Sequence, residues 1–231
     1  MPTMSSSEQF LQELSAAARS LQHETGTQRT LEMAVTAATN IIDGCDLAGV
    51  SIADARGVHT RAASDEAVLA MHALQHELAE GPAVDALRHH ETVYAPDLSS
   101  DERWPRWGPR IHEIGVRSVL SYRLFTTKDT LGALDLFSHT GDAFDQDGID
   151  NALALAAHVA VAVAAELNDE HLHVAVTTRT VIGQAQGILM ERFDLSADRA
   201  FQVLVRVSSH QNTKLHRVAS ELVTTRTMPK S

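Results

Sequence analysis

Cysteine is almost absent: Cys45 is the only one in 231 residues. A single thiol excludes an internal disulfide and a cysteine-based zinc site, and it fits a reducing cytoplasm. Aromatic residues make up only 4% of the chain. The first residues, MPTMSSSEQF, carry neither a basic stretch nor an apolar one, so no signal peptide is expected. The longest apolar run, Ala152–Leu167, is alanine-rich and holds His158 and Glu166, which reads as too weakly hydrophobic for a membrane span. There is no glycine-rich phosphate loop, no HExxH and no G-x-S-x-G elbow. No enzyme chemistry, no catalytic residue and no cofactor is therefore assigned. Histidine is plentiful, with 13 copies. His72 and His76 stand four apart, a metal-compatible spacing, and His89-His90 and His171/His173 form other clusters. No third ligand accompanies any of them, so no metal site is assigned. A pH response through these groups is the softer reading.

Charge is unevenly spread. The whole chain carries a formal −11. Val174–Ser231 holds eight basic and four acidic residues, a net +4, against −15 for the remainder. A weakly basic tail on an acidic body suggests that a nucleic-acid contact, if there is one, belongs to the tail.

Periodicity sets the order of elements. Residues 8–22 and Arg29–Asp43 place apolar side chains at helical spacing, and Gly44 ends the second helix. Alternation then predicts strands at Leu47–Asp54 and Gly57–Ala63, joined by a turn at Ala55, Arg56 and Gly57. A helix over Asp65–Glu80 stops at Gly81-Pro82. A short helix near Val84–His90, a strand at Thr92–Ala95 and a helix within Arg103–Gly115 follow. Strands at Ser118–Thr126 and Leu131–Ser138 meet at a Lys128-Asp129 turn. The pattern is α+β, a sheet with packed helices.

The segments EGPAVDAL (Glu80–Leu87), APDLSSDERWP (Ala95–Pro105), GVRSVLSYRL (Gly115–Leu124) and GALDLFS (Gly132–Ser138) resemble those of a GAF domain, a small-molecule sensor fold. The likeness runs over roughly Arg29–Asp169. It implies an antiparallel sheet and an unidentified small-molecule effector. Trp104, Trp107 and Tyr122 are the candidate pocket residues, though packing explains the tryptophans equally well.

After Asp147 the chain is helical. Ile149, Leu153, Ala156, Ala160, Val163 and Leu167 fall in an a/d heptad phase, which predicts a coiled-coil seam between two chains. The alternative is a helix packed on its own sheet. The phase continues to Val174 and Val181 with no Gly or Pro before Gly183.

Three helix-period segments end the chain. In the first, Val181, Ile182, Ala185, Ile188 and Leu189 share one face, and Arg179, Gly183, Gln186 and Met190 the other. Ser196 is the expected N-cap of the second, and Asn212 or Thr213 that of the third. IGQAQGILMER (Ile182–Arg192), AFQVLVRVSS (Ala200–Ser209) and NTKLHRVA (Asn212–Ala219) resemble the ANTAR domain, a three-helix RNA-binding module of transcription antiterminators. The family commonly has lysine where Gln186 stands. The resemblance implies a dimer that binds paired hairpins in nascent RNA and prevents a terminator from forming. Arg179, Lys214 and Arg217 would then hold phosphates, Gln186 and Asn212 would read base edges, and Arg192 joins the RNA-facing set.

The expectation is a GAF-like region with N-terminal helices and a helical connector over 1–170, joined to an ANTAR region over 171–231. Together they would form a cytoplasmic, non-enzymatic, homodimeric antiterminator with RNA as partner. The competing reading is a protein-interaction or small-molecule-sensing module whose last helices serve only dimerisation.

Overall fold

The computed structural model describes residues 6–23, 26–54, 57–88, 91–127 and 129–227. Within them the chain divides into two compact units, Met1–Leu167 and Asn168–Ser231.

Unit 1 is built on five strands: β1 (Leu47–Asp54), β2 (Gly57–Ala63), β3 (Thr92–Ala95), β4 (Ser118–Phe125) and β5 (Thr130–Ser138). Their order is β2-β1-β5-β4-β3, and every neighbouring pair is antiparallel. β1 and β5 approach so closely at Gly132 that a Cβ there would lie 1.9 Å from the Ser51 carbonyl oxygen. Only glycine fits this point of the sheet.

Alternation along the strands sorts side chains onto two faces. One face, with Val50, Leu120, Leu134 and Leu136, packs against α1 (Ser6–His23), α2 (Thr27–Ile41) and the first part of α6 (Gln146–Phe193). The other, with Val119 and Phe137, packs against α3 (Glu66–Leu78), α4 (Pro82–Arg88) and α5 (Trp107–Glu113). Asp65 caps α3 by accepting from the Ala67 amide at 2.8 Å. Left-handed Ala79 closes that helix, two residues before the Gly81-Pro82 expected to stop it. α5 begins just past Pro105, as its sequence pattern suggests, and turns held by Asp101 and Glu80 precede it. Ala55, Arg56, His89, His90 and Lys128 lie outside the described residues, as do the side chains of His171 and His173.

α6 is 48 residues long and serves both units. Its stretch Gln146–Asp169 is long and apolar enough to cross a membrane by length and composition, contrary to the expectation drawn from its alanines. Its apolar face is nevertheless used in the core: Ala152, Leu155, Val159 and Val163 are fully buried on the sheet.

Unit 2 holds the rest of α6, α7 (Ala197–His210) and α8 (Leu215–Thr225). Ala185, Leu189, Ala200, Leu204, Val218, Ala219 and Leu222 form its core. Ser196 caps α7, accepting from the Arg199 amide. The other cap is not where it was expected. Lys214 occupies the N-cap position of α8 and makes no side-chain cap bond. Asn212 instead ends α7 in the left-handed conformation, at φ 50°. The Asn212 amide donates to the Ser209 carbonyl and the Thr213 amide to the Ser208 carbonyl. That pair of bonds is the Schellman arrangement, in which asparagine is the usual substitute for glycine.

Candidate functional site

In unit 1 the segments that resemble the sensor family bind one another. Glu80 accepts from the Arg106 amide at 2.9 Å, the Arg106 side chain at 2.6 Å and the Trp107 amide at 3.2 Å. Burial raises its pKa, but these donors outweigh burial and hold it below the ordinary carboxylate value. Asp85 accepts from Trp104 Nε1 at 2.9 Å, and Trp107 Nε1 donates to the Met71 carbonyl. The two indoles meet edge to face at 5.6 Å and are fully buried. Tyr122 lies on the other face of the sheet, its hydroxyl donating to the Ile149 carbonyl. The three proposed pocket aromatics therefore do not come together, and each is a packing anchor. Indole and phenol need a partner when buried, which accounts for all three donors.

A group that sequence reasoning missed lies on the face beneath α3. Asp135 of β5 pairs directly with Gly49 of β1 and Ser121 of β4, and Ser51 sits two pairs further along β1, on the same face. Asp135, Ser51 and Ser121 are completely buried. His72 Nε2 stands 3.0 Å from Asp135 Oδ2, an ion-pair distance whose angle is not that of a hydrogen bond. His72 Nδ1 is 3.1 Å from the Thr60 hydroxyl. Both Asp135 oxygens, the Ser51 and Ser121 hydroxyls and Gln75 Nε2 have no hydrogen-bond partner. So many orphaned polar atoms in one layer are costly without a further polar occupant. His76 is pushed below its ordinary pKa by burial and by the nearby His72, with Asp135 acting the other way. His72 thus faces Asp135, and among the described residues no group of three or more His, Cys, Asp or Glu gathers as for a metal ion.

Cys45 is buried, and its Sγ lies 3.4 Å from the Leu47 carbonyl. Burial, with Asp46 adding to it, pushes the thiol up to about 12. A thiol held protonated in this way is a poor nucleophile.

The heptad stripe of α6 is mostly covered within one chain. Val163 is fully buried, Ala156 and Ala160 nearly so, and Ile149 and Leu167 are half-buried. Only Leu153, at 50% exposure, is open. The spacing thus serves the helix's own sheet at these positions. The open apolar face of this part of α6 is Leu153, Ala157 and Val161. With Phe125 and Arg123 of β4 they line a groove of about 520 Å³.

In unit 2 the six proposed RNA-facing residues separate. Arg179, Asn212, Lys214 and Arg217 are exposed. Gln186 is half-buried, its Nε2 donating to the Ala197 carbonyl at 3.2 Å, so it ties α6 to the start of α7. Arg192 donates to the Arg226 carbonyl at 2.7 Å and closes the end of α8. Thirteen residues after Arg179, it stands about 20 Å along the helix from it. A Cβ on Gly183 or Gly187 would meet nothing, so no part of the chain approaches these glycines.

A sheet packed with helices on both faces, followed by a separate three-helix unit, defines an α+β domain joined to a small helical one. Models of two families match these parts. The GAF domain covers residues 24–164 and the ANTAR domain residues 170–223. The chain belongs to the GAF family and carries a C-terminal ANTAR domain, the arrangement of a GAF-ANTAR regulator. The two domains are of sensory and RNA-binding type.

Solved structures agree on the fold of unit 1. The GAF domain of a phosphoenolpyruvate-protein phosphotransferase from Coxiella burnetii matches at 14% identity and a TM-score of 0.58, over 70% of this chain and 96% of that one. Free methionine-R-sulfoxide reductase from Neisseria meningitidis, solved with its substrate, matches at 14% and 0.56, over 73% and 96%. The phytochrome photosensory core module of Stigmatella aurantiaca matches at 13% and 0.59, over 91% of this chain but only 45% of that one. No curated protein matches the chain.

Proposed function

We propose that this protein is a cytoplasmic, signal-responsive transcription antiterminator. Its ANTAR domain binds paired hairpins in nascent RNA, and its GAF domain controls that binding. One observation carries the RNA assignment: unit 2 presents exposed Lys214, Arg217 and Arg179 on a net-basic module matched by an RNA-binding family. Two copies act together, which raises the effective concentration of the second hairpin contact. The copies pair through the open face of α6 at Leu153, Ala157 and Val161, since Val163 and its neighbours are already engaged. The small-molecule effector is read at the polar layer of Asp135, His72, Ser51 and Ser121, whose orphaned atoms call for a polar occupant.

The test is transcription in vitro through a terminator overlapped by tandem hairpins. Added protein raises read-through. Unchanged read-through at saturating protein would leave the competing reading, a protein-interaction module with dimerising helices.

A further inference from the structure

Charge in unit 2 is segregated between the two ends of the bundle. Of the four acidic residues in Val174–Ser231, three, Glu191, Asp194 and Asp198, cluster at the α6–α7 turn. Residues 199–220 contain no Asp or Glu at all. In that stretch Arg206 and His210 stand four apart on α7, hence on one side of the helix, and Lys214 and Arg217 three apart at the start of α8. All four are exposed. Among the described residues no ion pair or hydrogen bond engages the side chains of Arg206, Lys214 or Arg217. At the opposite end Arg192 is spent on the Arg226 carbonyl. The 14 residues of α7 put the two ends about 20 Å apart.

Between these cations lies the α7–α8 turn. Its backbone is held by the Schellman bonds and by the Ser208 hydroxyl, which donates to the Thr213 carbonyl at 2.6 Å. The Asn212 side chain takes no part in this. It caps no helix and makes no hydrogen bond among the described residues. Its exposed carboxamide sits at the apex of a turn whose Asn212 and Thr213 amides and Thr213 carbonyl are already paired. A carboxamide can donate and accept at once, the requirement for pairing with a base edge.

We infer that the α7–α8 turn is the RNA-reading tip of this chain. Arg206, Lys214 and Arg217 hold phosphates around an unpaired loop, and the Asn212 carboxamide reads one of its bases. This rests on the RNA-binding reading above and deepens it. It adds Arg206 to the contact set and removes Arg192 and Gln186, which are structural.

Asn212→Gly separates reading from folding, because glycine keeps the left-handed turn at no steric cost and removes only the carboxamide. The probe is a pool of RNAs carrying two tandem hairpins with randomised loops, followed by the bound sequences. Full-length Asn212→Gly keeps or raises the wild-type Tm and binds the selected RNA ~10-fold or more weakly, with an unchanged salt slope. Arg206→Ala weakens binding to every RNA in the pool and lowers the salt slope by about 0.7. Arg199→Ala, at the mixed-charge end, binds as wild type. Wild-type affinity in Asn212→Gly together with Arg206→Ala overturns the tip assignment alone. A loss in Arg199→Ala equal to that in Arg206→Ala also overturns it. If the wild type selects no RNA from the pool, the RNA-binding reading falls, and the tip with it.

Discussion

Replacing Val163 by alanine separates the two roles that α6 could play in unit 1. Val163 is fully buried among Leu155, Val159 and the sheet residues of the same chain. Truncation removes two methyl groups' worth of apolar contact, about 1.6 kcal/mol at ~0.8 kcal/mol per carbon. The cavity left behind adds to this, for a total of about 2–3 kcal/mol. For a unit of this size each kcal/mol lowers the melting temperature by roughly 2–4 °C. Val163→Ala should therefore melt about 4–12 °C lower by differential scanning calorimetry, while its mass by light scattering stays that of the wild type. Leu153→Ala should do the reverse. Leu153 is half-exposed, so its truncation costs under ~1 kcal/mol of stability. It removes the largest apolar side chain of the open α6 face and should shift the protein towards monomer. Dissociation by Val163→Ala without loss of melting temperature would refute the reasoning, because it would show the heptad stripe facing another chain.

Three other perturbations follow from the geometry. Asp135→Ala removes the carboxylate 3.0 Å from the buried His72 ring and should change the stability of unit 1 by about 1–3 kcal/mol in urea titrations, with the double replacement His72→Leu/Asp135→Leu more stable than Asp135→Ala alone. Glu80 has a depressed pKa in the folded state, so its contribution is present above the ordinary value of 4.5 and is lost as pH falls through the lower folded value. Glu80→Gln should accordingly flatten the acid arm of a melting-temperature profile below that pH. Cys45, pushed up to about 12 and buried, should resist thiol reagents at neutral pH in the native protein and label fully in denaturant.

Local chemistry made most of the fold legible. β1, β2 and β3 have the bounds their alternation predicts, because period-2 patterns between turn residues have few competitors. Helix ends were harder. Ala79, rather than Gly81, closes α3, since a left-handed alanine is tolerated where the following contacts fix it. The α6 stripe was legible as a stripe but not as to its partner. Spacing says which residues share a face, and a helix that covers its own sheet and a helix that covers a second chain write the same pattern. The site was less legible than the fold. Gln186 and Arg192 look free on a helical wheel and are spent on backbone carbonyls only once α7 and α8 are folded against α6. Asn212 looked like an N-cap because asparagine favours both ends of helices, and only the backbone angle distinguishes them. Asp135 gave only a faint signal. Its burial depends on β1 and β4 flanking β5, a pairing that spans the whole unit. One cue did exist: a charged residue in the middle of GALDLFS, an otherwise apolar strand.

RNA binding by unit 2 is the claim on which the rest depends. The most direct measurement is filter binding of the full chain to the selected tandem-hairpin RNA across a salt series. Four phosphate contacts per copy (Arg179, Arg206, Lys214 and Arg217), at about 0.7 per contact on a single strand, give a slope of log K against log salt near −3 for one copy and near −6 for a pair. Saturable binding with a slope in that range is the expected result. Absence of saturable binding, or an affinity indifferent to salt, would contradict it.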